Sequence, residues 1–420
     1  VSLLALIVAI VASGFARLNV GIMAGALAWI VGHYLAGMSV ADVLRGFPLN
    51  LAAVLFGITF LFAQAQLNGT LNQITHRAIR ATHGRRGLMP LVFFGLAVVL
   101  ATVGPGNIGA TALLAPLAMA TAGKMGIGAF LMTVMVANGA NAGAFSPFAP
   151  TGIIANGLIA QLGIEMNPWS QVYLPSLLAQ TFIALASYVA FGGLALWRAD
   201  LADGDGHDQR SAAVEIEPFN RAQLMTLAAI AALIGGVIVF QADPAFLAIA
   251  LAAVLSLFGA AEQDAAIDAI PWATIMMVCG VSMLVNILQT TGGMDLVTGL
   301  LAGVANSQTV TGVLAFTAGL ISAYSSSSGV VMPAFIATVP GLLSRLPSAN
   351  PVALVSSINV GAHLVDVSPL STLGALCIAN AGAHEDRDKL FRRLLYYGLS
   401  MALVGALVCY VFFGLLLPQG

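Results

Sequence analysis

Gly139-Ala140-Asn141-Ala142-Gly143-Ala144-Phe145-Ser146-Pro147-Phe148-Ala149-Pro150-Thr151-Gly152 recurs in outline as Gly361-Ala362-His363-Leu364-Val365-Asp366-Val367-Ser368-Pro369-Leu370-Ser371-Thr372-Leu373-Gly374. Both copies read Gly-Ala-(Asn or His), four residues, Ser-Pro, four residues, Gly. Both lie in apolar segments long enough to cross a bilayer. Proline removes a backbone donor and clashes with the preceding turn, so a Ser-Pro flanked by glycines breaks a helix. Freed backbone groups in hydrocarbon cost several kcal/mol each unless satisfied, so irregular backbone at that depth lines a cavity buried in protein. Two corresponding broken helices in two halves of one chain are the pattern of a secondary transporter with a midplane binding site.

Composition sets the solvent. Hydrophobic residues make up 59% of the chain, charged residues 8%, and the mean hydropathy is +0.97, whereas soluble domains carry roughly 25% charged residues. The fold class is therefore an all-α polytopic membrane protein, with the lipid bilayer as its surroundings. A formal net charge of -2, with no basic stripe outside loops, gives no reason to invoke nucleic acid. Cys279, Cys377 and Cys409 lie in apolar stretches without metal-type spacing and read as small core residues. The first apolar segment lacks a basic leader and a small-residue cleavage site, so it reads as a retained helix.

Outward from the motif, the chain divides into two halves. Apolar runs predict helices at about 2–15, 18–37 and 48–66, then a basic amphipathic stretch at about 68–86 containing His76, Arg77, Arg80, His83, Arg85 and Arg86. Two short runs, about 88–103 and 108–122, join at Gly104-Pro105-Gly106-Asn107, which predicts a re-entrant hairpin. The first broken helix (about 126–163) and a closing helix (171–197) end the first repeat, residues 1–197. Residues 198–219 are the one long polar segment and read as a linker. The second repeat, 220–420, offers helices at about 221–240, 244–259 and 272–290 and an interfacial stretch at 291–308. A second hairpin follows at about 309–344 around Ser325-Ser326-Ser327-Ser328-Gly329, then a broken helix at about 350–382 and a closing helix at 391–416. Gln66, Gly69 and Thr75 match Gln289, Gly292 and Thr298 at one constant offset.

Basic residues orient this scheme. With 76–86 and the 198–219 linker in the cytoplasm, only Arg45 and Arg345 of the 15 lysines and arginines fall outside, as the positive-inside rule demands. Each half then holds an odd number of crossings, so the two repeats are expected to be inverted relative to each other. The expected location is the inner membrane of a bacterium.

Almost no lysine or arginine falls within the apolar segments, so an anion must be held by helix N-termini and by hydroxyl or amide donors. The second arms of both hairpins and both broken helices begin near the midplane. The candidate substrate-binding residues at those starts are Asn107, Gly109, Thr111, Ser146, Pro147, Thr151, Ser326, Ser327, Ser328, Ser368, Pro369 and Thr372. Such donors suit carboxylates. Freed carbonyls with Asn, Ser and Asp oxygens suit a hard cation such as sodium, for which Gly106, Asn107, Asn141, Ser325 and Asp366 are the candidates. Intramembrane serines and threonines commonly bond back to their own helix, and buried histidines such as His363 are commonly satisfied within the core. Asp366 is the sharpest single residue, because a carboxylate in an apolar segment is costly and functional by default. It lies three residues after His363, close enough to pair if that stretch is helical.

The run from Val103-Gly104-Pro105-Gly106-Asn107 through Pro116, with the basic stretch before it, resembles the MatC-type dicarboxylate carriers, the malonate-carrier branch of the ion transporter superfamily. The layout is also similar to the divalent anion/sodium symporters of that superfamily. Those symporters carry Ser-Asn-Thr at both hairpin tips with a proline nine residues after the Asn. Asn107 precedes Pro116 by that spacing, between Gly106 and Ile108, but the second tip reads Ala323-Tyr324-Ser325 before Pro333 and lacks the Asn. The family's Thr-Pro at each unwound helix appears as Ser146-Pro147 and Ser368-Pro369. The resemblance implies a symporter importing small dicarboxylates, malonate- or succinate-like, coupled to sodium or protons. It implies an elevator motion and a homodimer, with Na+ the coupling ion and no other cofactor. A cation/proton antiporter exchanging at Asp366 is a weaker reading, since such proteins usually need more than one intramembrane acid. An intramembrane enzyme is weaker still, because His363 and Asp366 alone supply neither an activated nucleophile nor a metal cluster.

Overall fold

The computed structural model describes residues 1–15, 18–80, 85–203, 218–382 and 385–417. Arg17, His83 and most of the expected linker lie outside those residues. Every regular element among the described residues is helical, and seven helices are long and apolar enough to cross a membrane. Large apolar side chains such as Phe240, Phe246, Leu257 and Leu403 are exposed on the periphery, which suits a multi-pass membrane protein.

The same order of parts appears twice. Val20–Trp29, which continues through Ile30–Leu35, is followed by a short helix Val40–Arg45, a long helix Leu49–Leu67 and an amphipathic helix Thr70–Arg80. A hairpin of Met89–Val103 and Gly106–Met125 comes next, then a helix broken into Ala129–Gly143 and Pro150–Gln161, and a closing helix Pro168–Ala190. The second half repeats this as Pro244–Leu257, Gln263–Asp268, Trp272–Thr290, Gly293–Gly303, Val310–Ser322 with Ser327–Arg345, Pro351–Leu364 with Thr372–Ala379, and Arg387–Leu415. Ser2–Phe15 and Arg221–Phe240 precede the two series. The starts are fixed locally: Asn167, Asp243 and Asn350 accept hydrogen bonds from first-turn N–H groups, each with proline next at the first helical position.

The hairpins differ from expectation in length. Their first arms are short, at 15 and 13 residues, but the second arms run 20 and 19 residues, enough for a crossing by themselves. The expected arm 108–122 instead begins at Gly106, whose φ of 67° lets the turn feed directly into the helix. The expected 329–344 begins at Ser327 because the Ser326 hydroxyl caps it, accepting from the Gly329 N–H at 3.1 Å. The closing helix expected at 171–197 ends at Ala190, where Gly192 turns the chain at φ 97°, and a new helix, Gly193–Asp203, carries it on past residue 197. The short helices Val40–Arg45 and Gln263–Asp268 were not expected; six residues are too few to show a period.

Crossings between halves rest on small residues. A Cβ on Gly280 would run into the Gly21 carbonyl, and one on Gly57 would lie 2.6 Å from the Ala245 carbonyl. Trp272–Thr290 thus meets Val20–Trp29, and Leu49–Leu67 meets Pro244–Leu257, at backbone distance. The first glycine of each motif copy does the same work within its half. Gly139 lies against the Phe94 backbone and Gly361 against the Ala315 backbone, each in the first arm of its own hairpin. Gly361→Val is expected to unseat the second hairpin, at a cost of about 1–3 kcal/mol or more. Gly235→Ala, where no atom lies within 4 Å of the added carbon, is expected to be neutral or mildly stabilising. Thermal unfolding of both variants in detergent tests this: a Gly361→Val melting temperature equal to wild type contradicts the close seating.

Candidate functional site

The two breaks are built alike. After Gly143 the helix stops, and the Ser146 hydroxyl accepts from the Phe148 N–H at 3.2 Å while the Ser146 carbonyl accepts from the Ala149 N–H at 2.9 Å. At the second break the Ser368 hydroxyl accepts from the Leu370 N–H at 3.3 Å and its carbonyl from the Ser371 N–H at 3.0 Å. Each serine therefore satisfies N–H groups that the break releases. The last glycine of the motif lets the second arm restart against that loop: a Cβ on Gly152 or Gly374 would overlap the Ser146 or Ser368 carbonyl. Pro147 is half-buried and Pro369 buried within these loops.

Asn141 ties the halves together. Its Nδ2 donates to the His363 carbonyl at 2.8 Å, in the last turn before the second break, and its Oδ1 accepts from Asn107 Nδ2 at 2.9 Å. The first hairpin tip, the first broken helix and the second broken helix meet at this one side chain. The Phe145 ring packs edge-on against the His363 ring with centroids 4.8 Å apart. His363 does not pair with Asp366: its Nδ1 bonds the Asn359 carbonyl at 2.9 Å, one turn back on its own helix. Asp366 sits in a tighter 3-10 turn, Val365–Val367, which turns it toward the second tip. There Oδ1 accepts from Ser327 Oγ at 2.7 Å and from Ser371 Oγ at 3.4 Å, and Ser322 bonds Ser327 at 2.6 Å.

Four helix N-termini gather in two pairs. Gly106 packs on Pro150, with an added Cβ only 2.9 Å from the proline ring, so the first hairpin's second arm and the second arm of the first broken helix start side by side. Neither start has a side-chain cap. Buried Thr151 lies in the first turn of its helix and buried Thr111 in the second turn of the other, and the Thr111 hydroxyl has no partner. Gly109 is tight against Pro105. The other pair, Ser327 and Thr372, starts on either side of Asp366 through the Ser327 and Ser371 hydroxyls. A carboxylate offsets the partial positive charge of the second pair; none stands at the first. Ser325 is half-buried with an unpartnered hydroxyl, Ser328 is half-buried, and Thr372 is exposed.

Several participants were not singled out from the sequence. Asn138, Ser356 and Asn359 stand in the broken helices, one to two turns before the breaks, fully buried and with polar atoms that find no partner. His363 Nε2 and both side-chain polar atoms of Gln180 are in the same condition. Asn138 Nδ2 reaches the Tyr397 hydroxyl at 3.4 Å, which also bonds Ser187 at 2.8 Å, so both closing helices join the network. The signal was available: Asn138, Gln180 and Asn359 are amides in otherwise apolar runs. Among the described residues no group of three or more His, Cys, Asp or Glu gathers as a metal site.

No curated protein matches the chain. Residues 1–144 match the family model described as Dicarboxylate carrier protein MatC N-terminus, a stretch that includes the first hairpin and the first broken helix up to its break. The match covers about a third of the chain, and over that stretch the protein is similar to the N-terminal part of a dicarboxylate carrier family.

Proposed function

We propose that the protein imports small dicarboxylates by cation-coupled symport, sodium being the favoured ion, with the two halves acting as inverted repeats. The pairing of helix N-termini carries this reading. At the Gly106/Pro150 pair the Ile108 N–H is taken by Asn107 Oδ1 and the Gly152 N–H by the Ala144 carbonyl. The two helix N-termini, with no carboxylate beside them, offer an anion their remaining positive ends and the Asn107, Thr111 and Thr151 side chains. The Ser327/Thr372 pair holds Asp366, whose charge repels a carboxylate but supplies oxygen to a cation, together with Ser325 and the carbonyls of the break. Ser326, Ser327, Ser328, Ser368 and Thr372 accordingly belong on the cation's side of the site, and Asn141 stands between the two. An antiporter exchanging at Asp366 leaves the Gly106/Pro150 pair without a ligand.

Transport by an elevator motion fits the way side-chain bonds partition. Asn107–Asn141, Ser327–Asp366, Thr102–Tyr173 and Asn138–Tyr397 join hairpins, broken helices and closing helices into one body. Gln64 to Ala252 and Ser256, Asn68 to Thr226 and Asn19 to Ala273 join the remaining helices into another. Between the two bodies lie apolar contacts such as Phe62 on Gly104, Leu51 on Gly157 and Met277 on Gly329. Such an interface lets one packed arrangement slide to another. In this reading the protein spans a bacterial inner membrane with Arg45 and Arg345 outside and the linker in the cytoplasm.

Uptake of a radiolabelled dicarboxylate panel into proteoliposomes, with sodium and proton gradients imposed separately, tests the assignment; absence of gradient-driven uptake for every member overturns it. Asn107→Ala removes an anion donor that is also anchored to Asn141, a loss of about 1–3 kcal/mol. Apparent affinity should fall about tenfold or more with the protein still folded. Unchanged kinetics would remove this tip from the anion site. Asp366→Asn keeps size and removes charge, so it should weaken sodium or proton dependence more than it alters which anion is selected. Retention of wild-type cation dependence would make Asp366 structural and leave the ion to neutral oxygens.

A further inference from the structure

Trp272–Thr290 carries Ser282, Asn286 and Gln289 at i, i+4 and i+7, one helix face over a rise of about 10 Å. That polar face walls a cleft of about 590 Å³, closed on its other sides by residues 45–51, by residues 157–162 and by Pro333 and Ala337 of the second hairpin. None of the tip and break residues described above lines it. Ser282 is buried, 5% exposed, and its hydroxyl has no partner. The side chains of Asn50, Gln161, Asn286 and Gln289, all on the cleft wall, make no hydrogen bond among the described residues. The helix Leu49–Leu67 begins in this wall with no side-chain cap. Arg45 stands at the mouth, exposed, with Nη1 2.7 Å from Asp42 Oδ1 and its other donors uncommitted. The Ser39 hydrogen bond, aided by Arg45, holds the Asp42 carboxyl below the usual carboxylate range.

The matching segment of the first half keeps this polarity only in part, since Gln289 matches Gln66 and the other positions differ. At the offset relating Gln66 to Gln289, the counterpart of Arg45 is Asp268, that of Asn286 is Ala63, and that of Ser282 is Thr59. Thr59 spends its hydroxyl on the Leu55 carbonyl of its own helix, at 2.6 Å. The position matching Arg45 therefore carries an acid where this one carries an arginine.

We infer that the cleft is an entry subsite for a small dicarboxylate, one carboxylate held at Arg45 and the uncapped start of Leu49–Leu67, the other by Asn286, Gln289 and Ser282. It deepens the transport reading above and rests on it for the direction of flow, not for the binding. In a background with Cys279, Cys377 and Cys409 replaced by Ala, Asn286→Cys is treated with anionic and cationic methanethiosulfonates of similar size. The anionic reagent should react faster, malonate or succinate should slow the reaction, and Arg45→Gln should abolish both effects. In proteoliposomes Arg45→Gln should raise KM about three- to tenfold at low salt with little change in maximal rate, a difference that closes as salt screens the charge. Gln289→Cys, exposed at the same mouth, gives the same readout if Asn286→Cys does not fold. Protection by malonate without any transport keeps the subsite and sinks the transport reading. Labelling indifferent to malonate and to Arg45 overturns the subsite, whatever the transport assay shows.

Discussion

A helix interrupted inside a membrane releases backbone N–H and C=O groups into a medium with no water to receive them, and everything around the two breaks answers to that constraint. The N–H groups are taken up locally, by Ser146 and Ser368. A carbonyl cannot be served by an acceptor, and the His363 carbonyl takes its hydrogen from Asn141, in the other half of the chain. That carbonyl also receives the Val365 N–H, so the Asn141 bond adds a second donor at the second break and favours the juxtaposition of the two motif copies.

The same side chain extends the constraint to the hairpins. Asn141 holds Asn107, and Asp366 holds Ser327, so each tip is bonded to the broken helix of its own half. A tip cannot withdraw without exposing a buried amide or carboxylate. Together with the tyrosine links to the closing helices, these bonds make a rigid set of polar contacts enclosed by apolar ones. Polar atoms that remain unpaired on Thr111, Asn138, Ser325, Ser356, Asn359 and His363 lie on these same hairpins and broken helices. Buried groups in that condition are expensive, and their concentration there, with Asp366 on one side alone, underlies the proposed division between anion and cation.

The two halves repeat an order of parts but not a charge distribution. Asn141 faces His363, Asn107 faces a serine-rich tip, and Arg45 faces Asp268 across the repeat. The backbone devices are shared by both copies: the glycine contacts, the serine-capped breaks and the restart against the loop. The side chains that select a ligand differ. The shared parts are those of the backbone, and the proposed anion and cation sides rest on the side chains that differ.

The sequence by itself determined the membrane class, the two series of segments, the breaks at Ser146-Pro147 and Ser368-Pro369, and Asn107 and Asp366 as polar groups in apolar surroundings. Each of these follows from local rules: apolar length, a missing proline donor, and a polar group where polar groups are costly. It misjudged the hairpin arms and the closing helix at 171–197, because where a helix starts and stops depends on a single cap or a single positive φ. It offered a His363–Asp366 pair, since three residues apart on a helix is within reach; the 3-10 turn at Val365–Val367 breaks that spacing and gives Asp366 to Ser327 instead. Only the tertiary structure could decide that Asn141 serves the carbonyl of a residue far along the chain, that the four helix starts sort into one compensated and one bare pair, and that Ser282, Asn286 and Gln289 face a cleft. Those are matters of which surfaces meet, and a hydropathy pattern does not specify the partner.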